Sequence, residues 1–309
     1  MSNRTEMELK PREIKCLKID SFKSLIINCS ENDPDFNIFV DGGAGLGETV
    51  NQMLEVCGES VQTILAFEPY PPNVSAFKSN NPIKTRLFAA ALGSRNGTAS
   101  FEVSQKTTNL DGNKYHIQGT SFVGKISKGV SQLGSSVTVE VACLADICKE
   151  NSLDRIDFLK LDLQGGELDA LVGLRSYLHA TKVMWVEFSG QPGLLGYLQD
   201  NGFTVFDTEY LFVGDPNNLI EELFSITRIG KNSIGKSIFF GYRKHIWADY
   251  SYTLDFMRRR RRLIQTDLVA INNNYIREVE GYLHSNMLHV SSDVPDIIAR
   301  INSKLSTRD

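Results

Sequence analysis

The chain has 309 residues, 41% of them hydrophobic and 23% charged, with a formal net charge of −4. That length suits one large α/β domain with appendages or two domains, in an ordinary soluble composition. The charge balance supplies no overall field for nucleic acid or a membrane surface, and no apolar run reaches spanning length. The N-terminal stretch (Arg4, Glu6, Glu8, Lys10, Arg12, Glu13) has no apolar core of signal-peptide length. Five cysteines (Cys16, Cys29, Cys57, Cys143, Cys148) match no zinc spacing and are expected as reduced thiols in a cytoplasmic protein.

Residues 1–36 read as a polar lead and a short amphipathic helix around Phe22, Leu25, Ile26 and Ile27. Next, Ile38-Phe39-Val40 runs into Asp41, then into glycines, then into the helical spacing of Leu46, Val50, Met53 and Leu54. This is the pattern of a buried strand, a tight turn and a helix whose first N–H groups face a ligand. Nicotinamide and flavin proteins use such a turn as G-x-G-x-x-G. Class I methyltransferases use an acidic residue before x-G-x-G-x-G, which Asp41-Gly42-Gly43-Ala44-Gly45-Leu46-Gly47 fits position for position. There the carboxylate would face the amino group of S-adenosylmethionine, and Thr49 sits in the first helical turn. A plain glycine-rich loop is the non-functional alternative.

Val61 to Phe67 is a second strand, ending at Glu68-Pro69. An acidic residue about twenty positions past the glycines suits bidentate bonding to ribose hydroxyls. Pro71 and Pro72 open a helix through Val74, Phe77 and Lys78. Arg86 to Leu92 is a third strand, followed by an Asn96-Gly97 turn and a returning strand, Ala99 to Val103. Residues 104–135 form a long polar stretch containing His116, a candidate general base by its ordinary pKa. A solvent-facing loop histidine is the commoner case.

Val137 to Leu144 alternates as a strand, and a short helix follows through Ile147 and Cys148. Arg155 to Asp162 and Lys182 to Phe188 are strands with carboxylates near their ends, separated by Gly165-Gly166 and a helix. Leu194 to Leu198 reads as helix, Phe203 to Phe206 as strand, and Ser237 to Tyr242 as a last strand. The alternation predicts a doubly wound, mostly parallel sheet with an antiparallel last strand. Leu254, Met257, Leu263, Ile264, Leu268 and Ile271 suggest one or two tail helices, interrupted by Arg258 to Arg262. Those helices offer a face for homo-oligomerisation. The expected division is 1–36, 37–245 and 246–309.

Asp41, Glu68, Asp162 and Glu187 all fall at strand C-termini, where ligands of such sheets bind. With these pieces in place, the chain resembles the FkbM-type S-adenosylmethionine-dependent methyltransferases. The matching residues are Phe39 to Gly45, Ala66-Phe67-Glu68-Pro69 with Asn73, Ala90-Ala91-Leu92-Gly93 before Asn96-Gly97, and Asp157 to Glu167 through Leu171 and Gly173. Glu187 matches a family glutamate on the next strand. The resemblance covers roughly residues 37–245 and implies a Rossmann-like class I methyltransferase fold. It also implies S-adenosylmethionine as cofactor and a small-molecule hydroxyl, saccharide-like, as acceptor. One departure is Gln164, where the family usually carries glutamate; Gly166 replaces a small residue such as alanine.

The expected cofactor residues are Asp41, Gly42, Gly43, Ala44, Gly45, Gly47, Thr49, Glu68, Pro69, Ala91, Leu92 and Asp162. A hydroxyl is a weak acid, so a base or a metal must help remove its proton. Asp162 and Glu187 are the expected pair for that step, with His116 as a further candidate; they could also hold Mg²⁺. The alternative is that these carboxylates only cap a helix or bind the cofactor. Trp185 and Phe188 read as core. Asp207, Glu209, Tyr210 and Gly119-Thr120-Ser121-Phe122 are weaker acceptor-site candidates. The arginine run alone favours a ribose 2′-O-methyltransferase of RNA, and acidic neighbours dilute it, so nucleic acid is not the expected partner. A non-catalytic cofactor-binding module and an NAD-linked oxidoreductase are the other classes weighed.

Overall fold

Ile38-Phe39-Val40 can be an interior strand only if both its faces are covered, because successive side chains point to opposite sides. The computed structural model covers both. It describes residues 15–17, 21–104, 108–110, 113–115, 133–188, 191, 193–208, 210–213, 224–231, 237–243 and 266–286.

The chain opens with β1 (Lys15–Leu17) and α1 (Ser21–Asn32). Strand β2 (Ile38–Gly42) leads to α2 (Glu48–Cys57), β3 (Thr63–Phe67), α3 (Pro71–Ala76) and β4 (Thr85–Phe88). Next come β5 (Ala90–Gly93), β6 (Gly97–Ser104), β7 (Thr108–Leu110), β8 (Asn113–Tyr115) and β9 (Leu133–Cys143). Alternation resumes with α4 (Leu144–Glu150), β10 (Ile156–Leu161), α5 (Glu167–Gly173), β11 (Thr181–Phe188), α6 (Leu194–Asp200) and β12 (Phe203–Thr208). After β13 (Tyr210–Val213), β14 (Phe224–Lys231) and β15 (Ser237–Arg243) come β16 (Thr266–Asn272) and α7 (Glu280–Asn286).

The main sheet has eight strands in the order β1-β12-β16-β11-β10-β2-β3-β4. All neighbours are parallel except β16, which runs antiparallel to both β11 and β12. The chain leaves β2 toward β3 and β4, then returns to β10 on the other side. The switch point therefore lies between β2 and β10, and the fold is the Rossmann-like, doubly wound sheet with an antiparallel last strand. One strand comes from before residue 37 and one from after residue 245.

Three element readings are corrected. Arg86 to Leu92 is not one strand: β4 ends at Phe88, and after Ala89 the chain enters a second sheet, β5-β9-β6. An unbroken apolar run carries no mark of a change of sheet. Ser237–Arg243 is a strand, but in a separate antiparallel sheet, β13-β15-β14. The antiparallel strand of the main sheet is β16, where the spacing of Leu268 and Ile271 suggests a helix. Leu268, Val269, Ala270 and Ile271 are all buried, since strands flank both edges and apolar layers cover both faces. A four-residue apolar run suits either structure, and long-range pairing decides it.

Two apolar layers hold the sheet. On one face Phe39, Phe158, Trp185 and Val269 pack with Leu25 of α1, Met53 of α2 and Leu283 of α7. Phe22 meets Phe158 and Trp185 edge-on at 5.6 and 5.1 Å. On the other face Val40, Leu159, Val186 and Ala270 pack with Leu144, Leu171 and Leu198 of α4, α5 and α6. Each large apolar side chain buried this way contributes about 1.5–3 kcal/mol. At the strands' N-terminal end, fully buried Asp157 accepts N–H bonds from Asn37 (2.9 Å) and Ile38 (2.8 Å) and pairs with Arg155 (3.0 Å) and Lys182 (2.7 Å). That network ties β10, β11 and the start of β2 together at the end away from the switch point.

Candidate active site

The turn after β2 is built by close backbone approach. Gly43 has φ 81°, and a Cβ there would lie 2.1 Å from the Asp162 carbonyl oxygen at the end of β10. Gly47, at φ 97°, begins α2, and a Cβ there would lie 2.3 Å from the Lys78 carbonyl. A side chain at either position would push the turn off the sheet. The Gly43 and Ala44 N–H groups donate to the Phe67 carbonyl at 3.0 and 2.9 Å, so β3 fixes the turn from its other side. The N-cap of α2 is Gly47, so no capping side chain takes the helix's first N–H groups. Val50, Met53 and Leu54 are its buried face, and it stops at Gly58, whose N–H donates to the Leu54 carbonyl.

Glu68, just past β3, reaches back over this turn. Its carboxylate accepts from the Gly45 N–H and the Tyr70 N–H, both at 2.9 Å. Burial pushes its pKa up to about 7 against the pull of those two peptide groups. Leu92 lies against Gly42, while Ala91 is buried with Phe101 and Val139 in the second sheet's small core. Thr49 and Pro69 are half-buried, in the first turn of α2 and ahead of α3.

Beneath the turn, Asp41 is fully buried and paired in register with Lys160, whose Nζ lies 3.3 Å from Asp41 Oδ1 and 3.7 Å from Asp162 Oδ2. Among the described residues, Asp41 Oδ2 is buried with no hydrogen-bond partner. Burial raises the Asp41 pKa and Lys160 opposes it. Burial also works against the Lys160 ammonium, but Asp41 and then Asp162 outweigh it and hold its pKa above the ordinary lysine value.

Asp162 and Glu187 meet across β10 and β11. The Asp162 side chain is 42% exposed, so it opens outward, whereas Glu187 is buried. Gln164, at φ 55°, joins them: its Nε2 donates to Asp162 Oδ1 (2.7 Å) and Glu187 Oε1 (2.9 Å), and its peptide N–H donates to Glu187 Oε2 (3.2 Å). Burial first, then Asp162, Glu167 and Asp267, push Glu187 up to about 10, so it carries a proton at neutral pH. An exposed carboxyl beside a protonated one can orient a hydroxyl and move its proton.

Glu167 is turned inward and accepts from the Leu163 and Gly165 N–H groups and the Gln191 amide. It closes the turn before α5. Asp267 stands directly opposite Glu187 in the β11–β16 register. It accepts a bond from the Trp185 indole, and burial pushes it up to about 6.

The structure brings Asp41, the glycine turn, Glu68, Asp162 and Glu187 to one end of the sheet. Trp185 and Phe188 are core, as expected. Asp207 alternates with Phe206 and so belongs to the other face of β12, where it accepts from the Thr208 N–H. His116, Gly119 to Phe122, Glu209, the Tyr210 side chain and Arg258 to Arg262 lie outside the described residues. For Mg²⁺, the groups at Asp162 and Glu187 do not fit, because the two carboxyls hydrogen-bond each other and the Gln164 amide turns N–H toward both. Among the described residues no group of three or more His, Cys, Asp or Glu side chains is arranged to hold a metal ion.

Sequence reasoning missed Lys160 and Asp267. Lys160 did carry a signal: a charge inside a buried apolar strand needs a partner, and Asp41 ends the neighbouring strand. Asp267 carried none, because its strand is identified only by what it pairs with.

Comparison with known proteins gives the arrangement its relatives. The chain is 27% identical over 172 residues to the 2-O-methyltransferase NoeI of Sinorhizobium fredii, covering 52% of this chain and 67% of that one. It is 29% identical over 153 residues to Methyltransferase 1 of Beauveria bassiana, covering 46% of this chain and 59% of that one. The chain thus spans less than two thirds of the second relative's length. The crystal structure of Methyltransferase FkbM from Methylobacillus flagellatus KT is similar with a TM-score of 0.38 at 14% identity, covering 67% of this chain and 44% of that chain. The Methyltransferase FkbM domain matches residues 41–209, from the buried carboxylate of the glycine turn to just past β12. This chain belongs to the FkbM methyltransferase family.

Proposed function

We propose that the chain is an S-adenosylmethionine-dependent O-methyltransferase acting on a hydroxyl of a small molecule, a saccharide or glycosylated metabolite. The observation that carries this reading is the Asp162–Glu187 carboxyl pair, open to solvent at Asp162, one strand away from the glycine turn. The name of the Sinorhizobium relative, a 2-O-methyltransferase, supports an oxygen acceptor.

The residues fit the cofactor. Asp41 Oδ2 is an unused buried acceptor under the turn, suited to an ammonium group. Glu68 accepts from two peptide N–H groups and the Asn73 side chain and keeps its remaining lone pairs for ribose hydroxyls. The Gly43–Gly47 turn allows close approach; Thr49, Pro69, Ala91 and Leu92 complete the surroundings. When bound, S-adenosylmethionine supplies an electrophilic methyl group on sulfur. The chain's own part is to hold the acceptor oxygen in line with that methyl and to take its proton. Asp162 receives the proton as the acceptor oxygen is methylated, and the protonated Glu187, hydrogen-bonded through the same network, holds the Asp162 carboxylate in place before that transfer.

Calorimetric titration with S-adenosylhomocysteine and with NAD, on wild type and Glu68→Ala, tests the cofactor assignment. Binding of the first alone, lost in the variant, is expected; binding of NAD instead would overturn it.

A further inference from the structure

Gln164 occupies the left-handed region at φ 55°, a strained conformation for a residue with a Cβ. Three hydrogen bonds to the carboxyl pair offset it. Both amide protons are used, one on each carboxyl. The flipped amide would turn its oxygen against the Asp162 carboxylate oxygen and lose that bond, so the chemistry fixes its direction. The surrounding groups are otherwise engaged. Glu167 faces the Leu163 and Gly165 N–H groups and Gln191, Asp267 takes the Trp185 indole, and Lys160 is shared between Asp41 and Asp162.

We infer that Gln164 is a positioning residue: its amide clamps Asp162 and Glu187 into one fixed pair, standing where a divalent cation would otherwise draw the two carboxylates together. A cation of this kind needs oxygen lone pairs, and the amide presents N–H there. The acceptor hydroxyl is then held by hydrogen bonds rather than by chelation. The assignment of an acceptor to this pair rests on the function proposed above; the clamp itself does not.

Gln164→Glu keeps the side-chain length and exchanges the donor for a carboxylate oxygen. Mn²⁺ binding, followed by calorimetry, is expected to tighten at least about tenfold over wild type, as the new carboxylate joins Asp162 and Glu187, whose proton the cation displaces. It should fall back when Glu187→Ala is added. Wild type binding Mn²⁺ as tightly as the variant, or a variant that gains nothing, overturns the clamp. Should Gln164→Glu fail to fold, Gln164→Met removes the donors at similar volume. The infrared carbonyl band of Glu187, identified by its loss in Glu187→Gln, must then move, and an unmoved band is equally contrary. S-adenosylhomocysteine titrated into the same proteins reports separately on the cofactor assignment, so the two failures are distinguishable.

Discussion

Asp41 and Lys160 are register partners on β2 and β10, and their side chains meet at 3.3 Å where the winding of the sheet reverses. One ammonium serves a buried carboxylate below the glycine turn and, at 3.7 Å, the open carboxylate of Asp162. The two halves of the site therefore share a charge. Lys160→Met leaves Asp41 buried without its counter-charge. The expected loss is about 3–5 kcal/mol in urea denaturation at neutral pH. A loss below about 1 kcal/mol would mean that the pair is not what neutralises Asp41.

Gly43 and Gly196 should respond differently to the same change. Gly43→Ala puts a Cβ 2.1 Å from a backbone carbonyl at φ 81°, so the turn has to move and S-adenosylhomocysteine affinity should fall at least about tenfold. Gly196 lies within α6 with open space around it and no positive φ. Gly196→Ala should raise stability by about 0.5–1 kcal/mol and leave that affinity unchanged. Equal behaviour of the two variants would contradict the role given to the turn.

Most of this architecture could be read before any coordinates. Ile38 to Gly42, Val61 to Phe67, Arg155 to Asp162 and Lys182 to Phe188 announced buried strands by apolar runs ending in carboxylates, and the glycines marked the turn. What failed to show was long-range in origin. The break at Ala89 depends on β9 lying alongside Ala90–Gly93. The strand at Thr266–Asn272 depends on β11 and β12 flanking it. The candidate site divides the same way: the places of Asp41, Glu68, Asp162 and Glu187 at strand ends were legible. Gln164 was visible only as a departure in type, because its bridging depends on a left-handed backbone that no propensity scale predicts.

Glu187 ties stability to pH. Its folded pKa, raised to about 10, lies above the ordinary glutamate value, so between the two the folded chain holds a proton that the unfolded chain has released. Stability from this group is fully present below about pH 4 and is lost progressively as pH rises toward the folded value. Glu187→Gln needs no proton. Denaturation should find the variant more stable than wild type by at least about 1 kcal/mol near pH 9, with the gap closing toward pH 5. A gap that stays constant with pH would be inconsistent with a buried, protonated Glu187.

Asp157 marks the end of the sheet that holds structure without chemistry. Asp157→Ala strands Arg155 and Lys182 and removes the acceptor for two peptide N–H groups. A destabilisation of about 3–5 kcal/mol is expected, with the S-adenosylhomocysteine dissociation constant of the folded protein unchanged. A selective loss of affinity in a stably folded variant would show coupling between the two ends of the sheet.

The most direct test of methyl transfer through the carboxyl pair is to follow labelled methyl from S-adenosylmethionine into a panel of saccharides. Wild type and Asp162→Ala are compared, with cofactor affinity measured on both. The account predicts a base-stable methyl ether from wild type. In the variant, kcat should drop about 100-fold or more while S-adenosylhomocysteine affinity changes little. Full turnover by Asp162→Ala with the cofactor still bound would contradict the account, and the proton would have to leave the acceptor by another route.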